Sequence, residues 1–235
     1  MKVERIVDNY TVALILAGGS GTRMGCDKTK QKIEILGETV LRRSVRAFCE
    51  AKLIDGIIVV SRADEIDEVR EMIADLPKVI SVVVGGDCRR ESARLGFEAV
   101  PEDTSYVAIH DAARCLITPE EIDLVVSEAK KYGAATCSSP IFDTVKREKD
   151  GFIVGTVDRS ELRIAQTPQV FSAKIYKKAI EKCEKNVNIT DDNMMVEELG
   201  IAIKCVNTSS QNIKITTADD LALAEFILEK RRENV

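Results

Sequence analysis

Short apolar runs rich in β-branched residues alternate with amphipathic stretches along this chain. Six runs predict strands, at 11–17, 56–61, 80–85, 105–111, 134–139 and 201–206. The first four are nearly continuously apolar, as expected of strands that are covered on both faces. Helical spacing of apolar residues predicts helices at 39–50, 64–75, 90–99, 119–131 and 217–232. This alternation predicts the α/β class with a mostly parallel, doubly wound sheet.

The helix predicted at 119–131 has a well-marked beginning. Thr118 is a candidate N-cap, Pro119 follows at the first helical position, and Glu121 stands three residues after the cap. These residues predict a capping box, with proline at a position where its missing N–H costs nothing.

One stretch, 143–160, interrupts the alternation of strands and helices. Asp150-Gly151 lies there between two alternating runs, which predicts a β-hairpin. The hairpin carries Phe152, Ile153 and Val154, which need an apolar surface to pack against. A partner subunit is the natural candidate, and the body of the same chain is the alternative. We therefore predict a single domain over 1–235, with a β-arm at 140–165 that forms a dimer contact.

Composition and charge exclude some classes of partner. The 235 residues carry a net charge of −5, and the chain contains one histidine. An acidic chain is a poor non-specific ligand for nucleic acid or for an anionic membrane. Seven cysteines without a CxxC pair indicate free thiols in a reducing compartment. No run approaches 18 apolar residues, so we expect a cytoplasmic protein that does not contact a membrane.

The stretch ILAGGSGTRMGCDKTKQ, residues 15–31, lies at the carboxyl end of the first predicted strand, where open α/β sheets bind ligands. It is not a Walker A loop, because Gly25 is followed by Cys26 and Asp27. The dinucleotide fingerprint GxGxxG fails at Met24, and only a relaxed form through Gly25 survives. Glycine-rich backbone amides bind anions, and the stretch carries nearby cations at Arg23, Lys28 and Lys30. This pattern favours a phosphate ligand.

Eight motifs occur in an order that identifies a family. They are LAGGSGTRMG…KTKQ, GGDCRRES (85–92), HDAAR (110–114), DTVKR (143–147), VDRSEL (157–162), QTPQ (166–169), TDD (190–192) and NIKIT (212–216). The first resembles the signature of enzymes that join nucleoside triphosphates to sugar phosphates. Together, over about residues 11–230, the motifs resemble the 2-C-methyl-D-erythritol 4-phosphate cytidylyltransferases of the non-mevalonate isoprenoid pathway.

The resemblance implies a reaction in which a phosphate oxygen of the polyol phosphate attacks the α-phosphorus of CTP and expels pyrophosphate. A phosphomonoester is already ionised near pH 7, so this reaction needs no general base. By position, Arg23 and Lys30 match the catalytic pair that stabilises the transition state. The nucleotide-binding positions are Ala17, Gly18, Gly19 and Gly21 in the glycine loop, and Asp87, Arg89 and Ser92 in the segment that reads cytosine and ribose.

The remaining implied positions bind the polyol phosphate and a divalent cation. Asp111 would face Mg²⁺ held mainly by the triphosphate, whereas His110 is expected to orient its loop through hydrogen bonds. The other substrate-binding positions are Arg114, Thr144, Arg159, Thr167 and Lys214. In a dimer, Arg159 would come from the neighbouring subunit.

Four residues depart from the family pattern. Thr29 and Cys115 stand where the family usually has proline, Arg163 stands where it usually has an aromatic residue, and Asn193 stands where it usually has alanine. Three alternatives remain at this point. Ribitol-5-phosphate cytidylyltransferases share most of these motifs, a non-catalytic nucleotide-binding relative would tolerate the departures, and the relaxed glycine pattern leaves a nicotinamide-linked oxidoreductase open.

Overall fold

The computed structural model describes residues 9–19, 29–183 and 189–233. Its strands, in chain order, are β1 (Thr11–Leu16), β2 (Glu34–Ile35), β3 (Glu38–Thr39), β4 (Gly56–Ser61), β5 (Val79–Val84), β6 (Tyr106–Asp111), β7 (Ala134–Pro140), β8 (Lys146–Lys149), β9 (Phe152–Thr156), β10 (Arg163–Ser172) and β11 (Lys204–Asn207). Its α-helices are α1 (Val40–Glu50), α2 (Ile66–Met72), α3 (Arg89–Glu98), α4 (Pro119–Tyr132), α5 (Ala173–Cys183), α6 (Asp192–Glu197) and α7 (Ala218–Glu233).

Seven strands form the central sheet in the order β11-β7-β10-β6-β1-β4-β5. β1 pairs in parallel with β4 and β6, β4 with β5, and β7 with β11. β10 runs antiparallel to both of its neighbours, β6 and β7. The prediction of a mostly parallel α/β sheet is confirmed.

Helices cover both faces of this sheet, as a doubly wound fold requires. Ala13 and Ile15 of β1 pack into a core with α1, α2 and α4, whereas Val12 and Leu14 pack into a second core with α5 and α6. This alternation follows from the two-residue period of a strand. All four side chains are fully buried, which explains why the first strands read as continuous apolar runs.

The six predicted strands and five predicted helices are all present, with shifted ends. The helix predicted over 64–75 is Ile66–Met72, and the strand predicted over 201–206 is Lys204–Asn207. The predicted capping box at Thr118 is present, with hydrogen bonds in both directions between the cap and Glu121. The apolar pattern did not predict β10, α5 or α6, which complete the sheet and cover one of its faces.

The predicted hairpin is present as β8 and β9, which form a two-stranded sheet of their own. Its turn residues Asp150 and Gly151 have φ of 53° and 84°, the left-handed pair expected of a two-residue hairpin turn. The chain leaves the main sheet after Pro140 and returns opposite it at Arg163. We call residues 141–162 the arm.

None of the helices in the described residues combines the length and the apolar character that a membrane-spanning helix needs.

Candidate active site

A cavity of about 670 Å³ opens where β1, β4, β5 and β6 end. Leu16, Val84 and Asp111 are the last residues of three of these strands, and all three line the cavity. The carboxyl ends of parallel strands meet at one edge of a sheet, and open α/β folds bind their ligands there. The cavity therefore lies where the sequence placed the phosphate-binding stretch.

Residues 17–19, which we call the glycine segment, follow β1, and Gly18 and Gly19 line the cavity. The amide of Ala17 donates to the carbonyl of Val60 at 2.7 Å, which continues the pairing of β1 and β4. The side-chain amide of Gln31 donates to the carbonyl of Ala17 and, at 3.1 Å, to that of Gly19. Gln31 is only 6% exposed and also lines the cavity, where its two hydrogen bonds hold the glycine segment in place.

Asp111, at the end of β6, is held between two cations. Its Oδ1 accepts from Nε of Arg89 at 3.0 Å, and its Oδ2 accepts from Nζ of Lys214 at 2.8 Å. Burial alone would raise the pKa of Asp111, but the charges of Arg89 and Lys214 hold it well below its usual range. Asp111 is therefore ionised at any physiological pH. All three side chains line the cavity.

Arg89 is fixed from the protein interior by a second carboxylate. Its Nη1 donates to Oδ2 of Asp192 at 2.6 Å, and Asp192 is fully buried. The hydroxyl of Tyr176 donates to Oδ1 of the same carboxylate at 2.6 Å. The side-chain oxygen of Gln169 accepts from the amide of Asp192 at 3.0 Å. These bonds link the cavity wall to the start of α6.

His110, fully buried next to Asp111, is hydrogen-bonded at both ring nitrogens. The carbonyl of Arg114, 3.2 Å from Nε2, can only accept, so Nε2 carries the proton and donates to it. Nδ1 of the neutral ring then accepts from the hydroxyl of Thr167 at 3.0 Å, and that hydroxyl itself accepts from the amide of Asp111 at 3.1 Å. Burial lowers the pKa of His110 to about 3, so the ring is neutral. It orients the loop after β6, as predicted.

The turn before α3 forms the part of the cavity wall next to the glycine segment, since a Cβ at Gly18 would lie 3.8 Å from the hydroxyl of Ser92. The hydroxyl of Ser92 lies 3.2 Å from the amide and 3.3 Å from the carbonyl of Gly86. A Cβ at Gly85 would come within 2.7 Å of that hydroxyl, so the close turn requires glycine there. Asp87 and Cys88 lie exposed on the cavity wall at the beginning of the helix.

The structure brings most of the predicted site residues together. The cavity wall contains Gly18, Gly19, Asp87, Arg89, Ser92, Asp111 and Lys214. Ala17, Arg114 and Thr167 lie directly behind it, and Arg114 donates through Nη1 to the carbonyl of Asn212 at 2.8 Å.

The other predicted positions lie outside the cavity or outside the described residues. Thr144 and Arg159 are exposed on the arm, where Arg159 donates to the carbonyl of Phe142. Gly21 and Arg23 lie outside the described residues, as does the side chain of Lys30.

Sequence reasoning missed several groups at the cavity. Arg62 and Asp64, after β4, form a two-point ion pair with distances of 2.9 and 2.8 Å and line the wall. The buried pair of Tyr176 and Asp192 was also missed, because it is linked to the site only through Arg89. Arg62 and Asp64 could have been predicted as site residues, because they are charged and directly follow an apolar strand.

The departures from the family pattern have structural explanations in two cases. Cys115 is 2% exposed among apolar side chains that pack against α7, and burial raises its pKa to about 11. It is an unreactive core residue. The hydroxyl of Thr29 donates to the carboxylate of Glu65 at 2.7 Å. Arg163 is exposed at the point where the arm rejoins the sheet, and nothing in the structure explains it.

The fold and the cavity define a doubly wound α/β protein with charged residues lining a cavity at the carboxyl ends of its strands. The family model of 2-C-methyl-D-erythritol 4-phosphate cytidylyltransferase (IspD) matches residues 11–230. The chain therefore belongs to this family of nucleotidyltransferases.

Proteins of that name align with nearly the whole chain. The one from Desulforamulus reducens is 39% identical over 225 residues, covering 94% of this chain and 96% of the relative. The one from Caldanaerobacter subterraneus subsp. tengcongensis is 40% identical over 223 residues, covering 93% and 98%. The crystal structure of 4-diphosphocytidyl-2C-methyl-D-erythritol synthase from Anaerococcus prevotii superposes with a TM-score of 0.84 at 28% identity, covering 94% and 99%.

Proposed function

We propose that this chain transfers the CMP group of CTP to 2-C-methyl-D-erythritol 4-phosphate, giving 4-CDP-2-C-methyl-D-erythritol and pyrophosphate. Membership of the family supports this reaction. The observation that carries it is the cavity at the strand ends, which is lined by the glycine segment, by the ion pair of Arg89 and Asp111, and by Lys214. Backbone amides and fixed cations of this kind bind triphosphates.

In this reaction an oxygen of the polyol phosphate forms a bond to the α-phosphorus of CTP. The bond from that phosphorus to the bridging oxygen of the β-phosphate breaks, and pyrophosphate leaves with the electron pair. The attacking phosphate is already ionised, so no residue has to remove a proton. The state of His110 is consistent with this, because the chain's one histidine is neutral, buried and fully hydrogen-bonded.

Catalysis then consists of positioning and of stabilising negative charge. We assign the latter role to Arg23 and Lys30, and binding of the triphosphate to the glycine segment with Gly21. Asp87, Arg89 and Ser92 would contact the nucleoside, with the guanidinium of Arg89 held rigid by its two carboxylates. Lys214 would exchange its contact with Asp111 for a phosphate oxygen.

Mg²⁺ fits this site as an ion that the triphosphate mainly holds. Asp111 is an ionised carboxylate at the cavity wall, as a magnesium ligand must be. Among the described residues no cluster of three or more His, Cys, Asp and Glu could bind a metal by itself. When bound, the ion neutralises charge on the phosphates. Asp111 would contribute one ligand and orient the metal–nucleotide complex.

We infer that the arm mediates a homodimer. Phe142, Phe152, Ile153 and Val154 are between 61% and 74% exposed in the single chain, so they do not pack on its own body. An apolar cluster of this size needs a partner. A second copy would bring Arg159 and Thr144 of one arm to the cavity of the other subunit, where the predicted substrate positions would meet.

A cytoplasmic location agrees with the cysteines. All six that lie in the described residues are free thiols, as in a reducing compartment.

The test measures pyrophosphate released from CTP with Mg²⁺ and either 2-C-methyl-D-erythritol 4-phosphate or ribitol 5-phosphate. We expect release with the first substrate. Activity with ribitol 5-phosphate alone would contradict the proposal, and no activity with either would favour a non-catalytic relative.

Two substitutions test the catalytic pair, each with a matched control. Arg23→Ala and Lys30→Ala should each lower turnover by about 10²–10³-fold, the effect of losing one preorganised charge-stabilising group. Arg70→Ala and Lys131→Ala remove exposed cations whose ion pairs are with neighbours on their own helices, Arg70 also donating to the carbonyl of Val82 at 3.5 Å, and should leave turnover unchanged. Normal turnover in Arg23→Ala or Lys30→Ala would refute the assigned role.

A further inference from the structure

Glu65 is a buried carboxylate outside the cavity wall to which the sequence assigned no role. It lies at the beginning of α2 and is only 5% exposed. A buried charge costs several kcal/mol unless ion pairs and hydrogen bonds compensate it. The partners that compensate Glu65 come from the segment that contains Lys30.

Two residues that flank Lys30, one on each side, bind the carboxylate of Glu65. The hydroxyl of Thr29 donates to Oε1 of Glu65 at 2.7 Å, and Nζ of Lys32 lies 3.3 Å from the same oxygen. Lys32 also pairs with Glu68, one turn further along α2, and that contact is the main cause of its raised pKa. The amide of Lys32 donates to the carbonyl of Thr29 at 3.0 Å, which closes the turn.

Glu65 is itself fixed to the body of the protein. Its amide donates to the carbonyl of Arg62 at 3.2 Å, and its carbonyl accepts from the amide of Val69 at 3.0 Å. Val69 is 1% exposed in the core beneath the sheet. The side chain of Glu65 is therefore anchored in the connection between β4 and α2. From there its carboxylate binds the turn at 29–32 and restricts the movement of that turn.

Gln31 completes the attachment from the other side. Its side chain bonds to the glycine segment, so the turn is tied both to the cavity wall and to α2. The backbone of Lys30 lies between these two attachments. A misplacement of about 1 Å in a catalytic group can cost about 100-fold in rate.

We propose that Glu65 is a positioning residue: it holds Thr29 and Lys32 so that Lys30 is presented to the reacting phosphates. This inference rests on the catalytic role proposed for Lys30. Thr29 departs from the family pattern, in which proline is usual. The hydrogen bond of its hydroxyl to Glu65 restrains the backbone before Lys30, as the ring of a proline would. The contact of Thr29 with Glu65, which we call the anchor, affects stabilisation of the transition state through Lys30. It contributes little to the affinity for CTP.

The test compares Thr29→Val with Thr29→Ser in the CTP assay. Valine keeps the shape and loses the donor, whereas serine keeps the donor. We expect kcat to fall about tenfold in Thr29→Val, with KM for CTP within about twofold of normal, because a lost hydrogen bond to a charged group misplaces Lys30 in most molecules. Thr29→Ser should restore at least half of the normal kcat.

Glu65→Gln tests the other partner. It should lower kcat by a similar factor, and the double variant Thr29→Val/Glu65→Gln should be no slower than the slower single variant, because both remove the same attachment. Thr118→Val, which removes an N-cap of α4, is the control for simple destabilisation. It should lower Tm by about 2–4 °C and leave kcat unchanged.

Three results would overturn the inference: normal kcat in Thr29→Val, equal losses in Thr29→Val and Thr29→Ser, or multiplicative losses in the double variant. The comparison with Lys30→Ala separates this inference from the proposed function. Slow Lys30→Ala with normal Thr29→Val refutes only the anchor. Normal Lys30→Ala refutes both the catalytic role and the positioning that depends on it.

Discussion

The titration of His110 should leave a distinct mark on the pH dependence of stability. Burial lowers its pKa from 6.5 to about 3, so the folded protein keeps the ring neutral where the unfolded chain binds a proton. A group whose folded pKa is depressed contributes stability that is fully present above the unfolded pKa. For His110 this contribution decreases as the pH falls below 6.5 and is exhausted near pH 3.

The size of the effect follows from the interval between the two pKa values. Each pH unit below 6.5 costs about 1.4 kcal/mol of unfolding free energy, so lowering the pH from 7 to 5 should cost about 2 kcal/mol through this residue alone. The chain contains one histidine, so no other imidazole contributes to this interval. Contributions from the other groups are common to the wild type and to a variant at position 110, so the difference between the two proteins isolates the imidazole.

The assay is urea unfolding followed by circular dichroism, at pH 7 and pH 5, for the wild type and His110→Gln. The wild type should lose about 2 kcal/mol more than the variant between the two pH values. The C2 proton of the imidazole, a single resonance in this chain, should show no titration above pH 4 in the folded wild type. Equal losses in both proteins, or a resonance that titrates near pH 6.5, would refute the buried neutral histidine.

Three further substitutions test other parts of the structure. Tyr176→Phe removes a hydrogen bond to buried Asp192, so Tm should fall by about 3–12 °C in a thermal melt; an unchanged Tm would contradict that contact. Gln31→Met frees the glycine segment and should raise KM for CTP about tenfold in the pyrophosphate assay. Gly133→Ala places a side chain at φ 84° and should cost about 1–2 kcal/mol in urea unfolding.

Local pattern predicted the parallel half of the sheet because its strands are apolar on both faces. β10 escaped prediction because half of its six buried residues are polar: Gln166, Thr167 and Gln169 are each at most 4% exposed. Their partners lie far away in sequence, such as the amide of Asn193 on the oxygen of Gln169 at 3.1 Å. A buried polar strand of this kind is stabilised by long-range hydrogen bonds, which have no local periodicity.

The site was predicted from motifs, and its internal connections were not. Arg89 is 22 residues from Asp111 and 103 from Asp192, and Lys214 is 103 residues from Asp111. Only the folded sheet brings these groups to one edge. The role of Glu65 could not be predicted either, because its charge is indistinguishable in sequence from the exposed acids around it.

The charge balance of the cavity accounts for the binding of a triphosphate by an acidic protein, as the proposed function requires. The described cations at the wall already have carboxylate partners: Arg62 has Asp64, and Arg89 and Lys214 share Asp111. Such pairs fix the cations in place before the ligand arrives, so that only the contact of Lys214 with Asp111 has to change when phosphate oxygens approach. The affinity for the triphosphate then depends on where these cations lie and not on the net charge of the protein. If long-range attraction were dominant, KM for CTP would rise steeply with salt; a site of prepaired cations predicts a shallow rise.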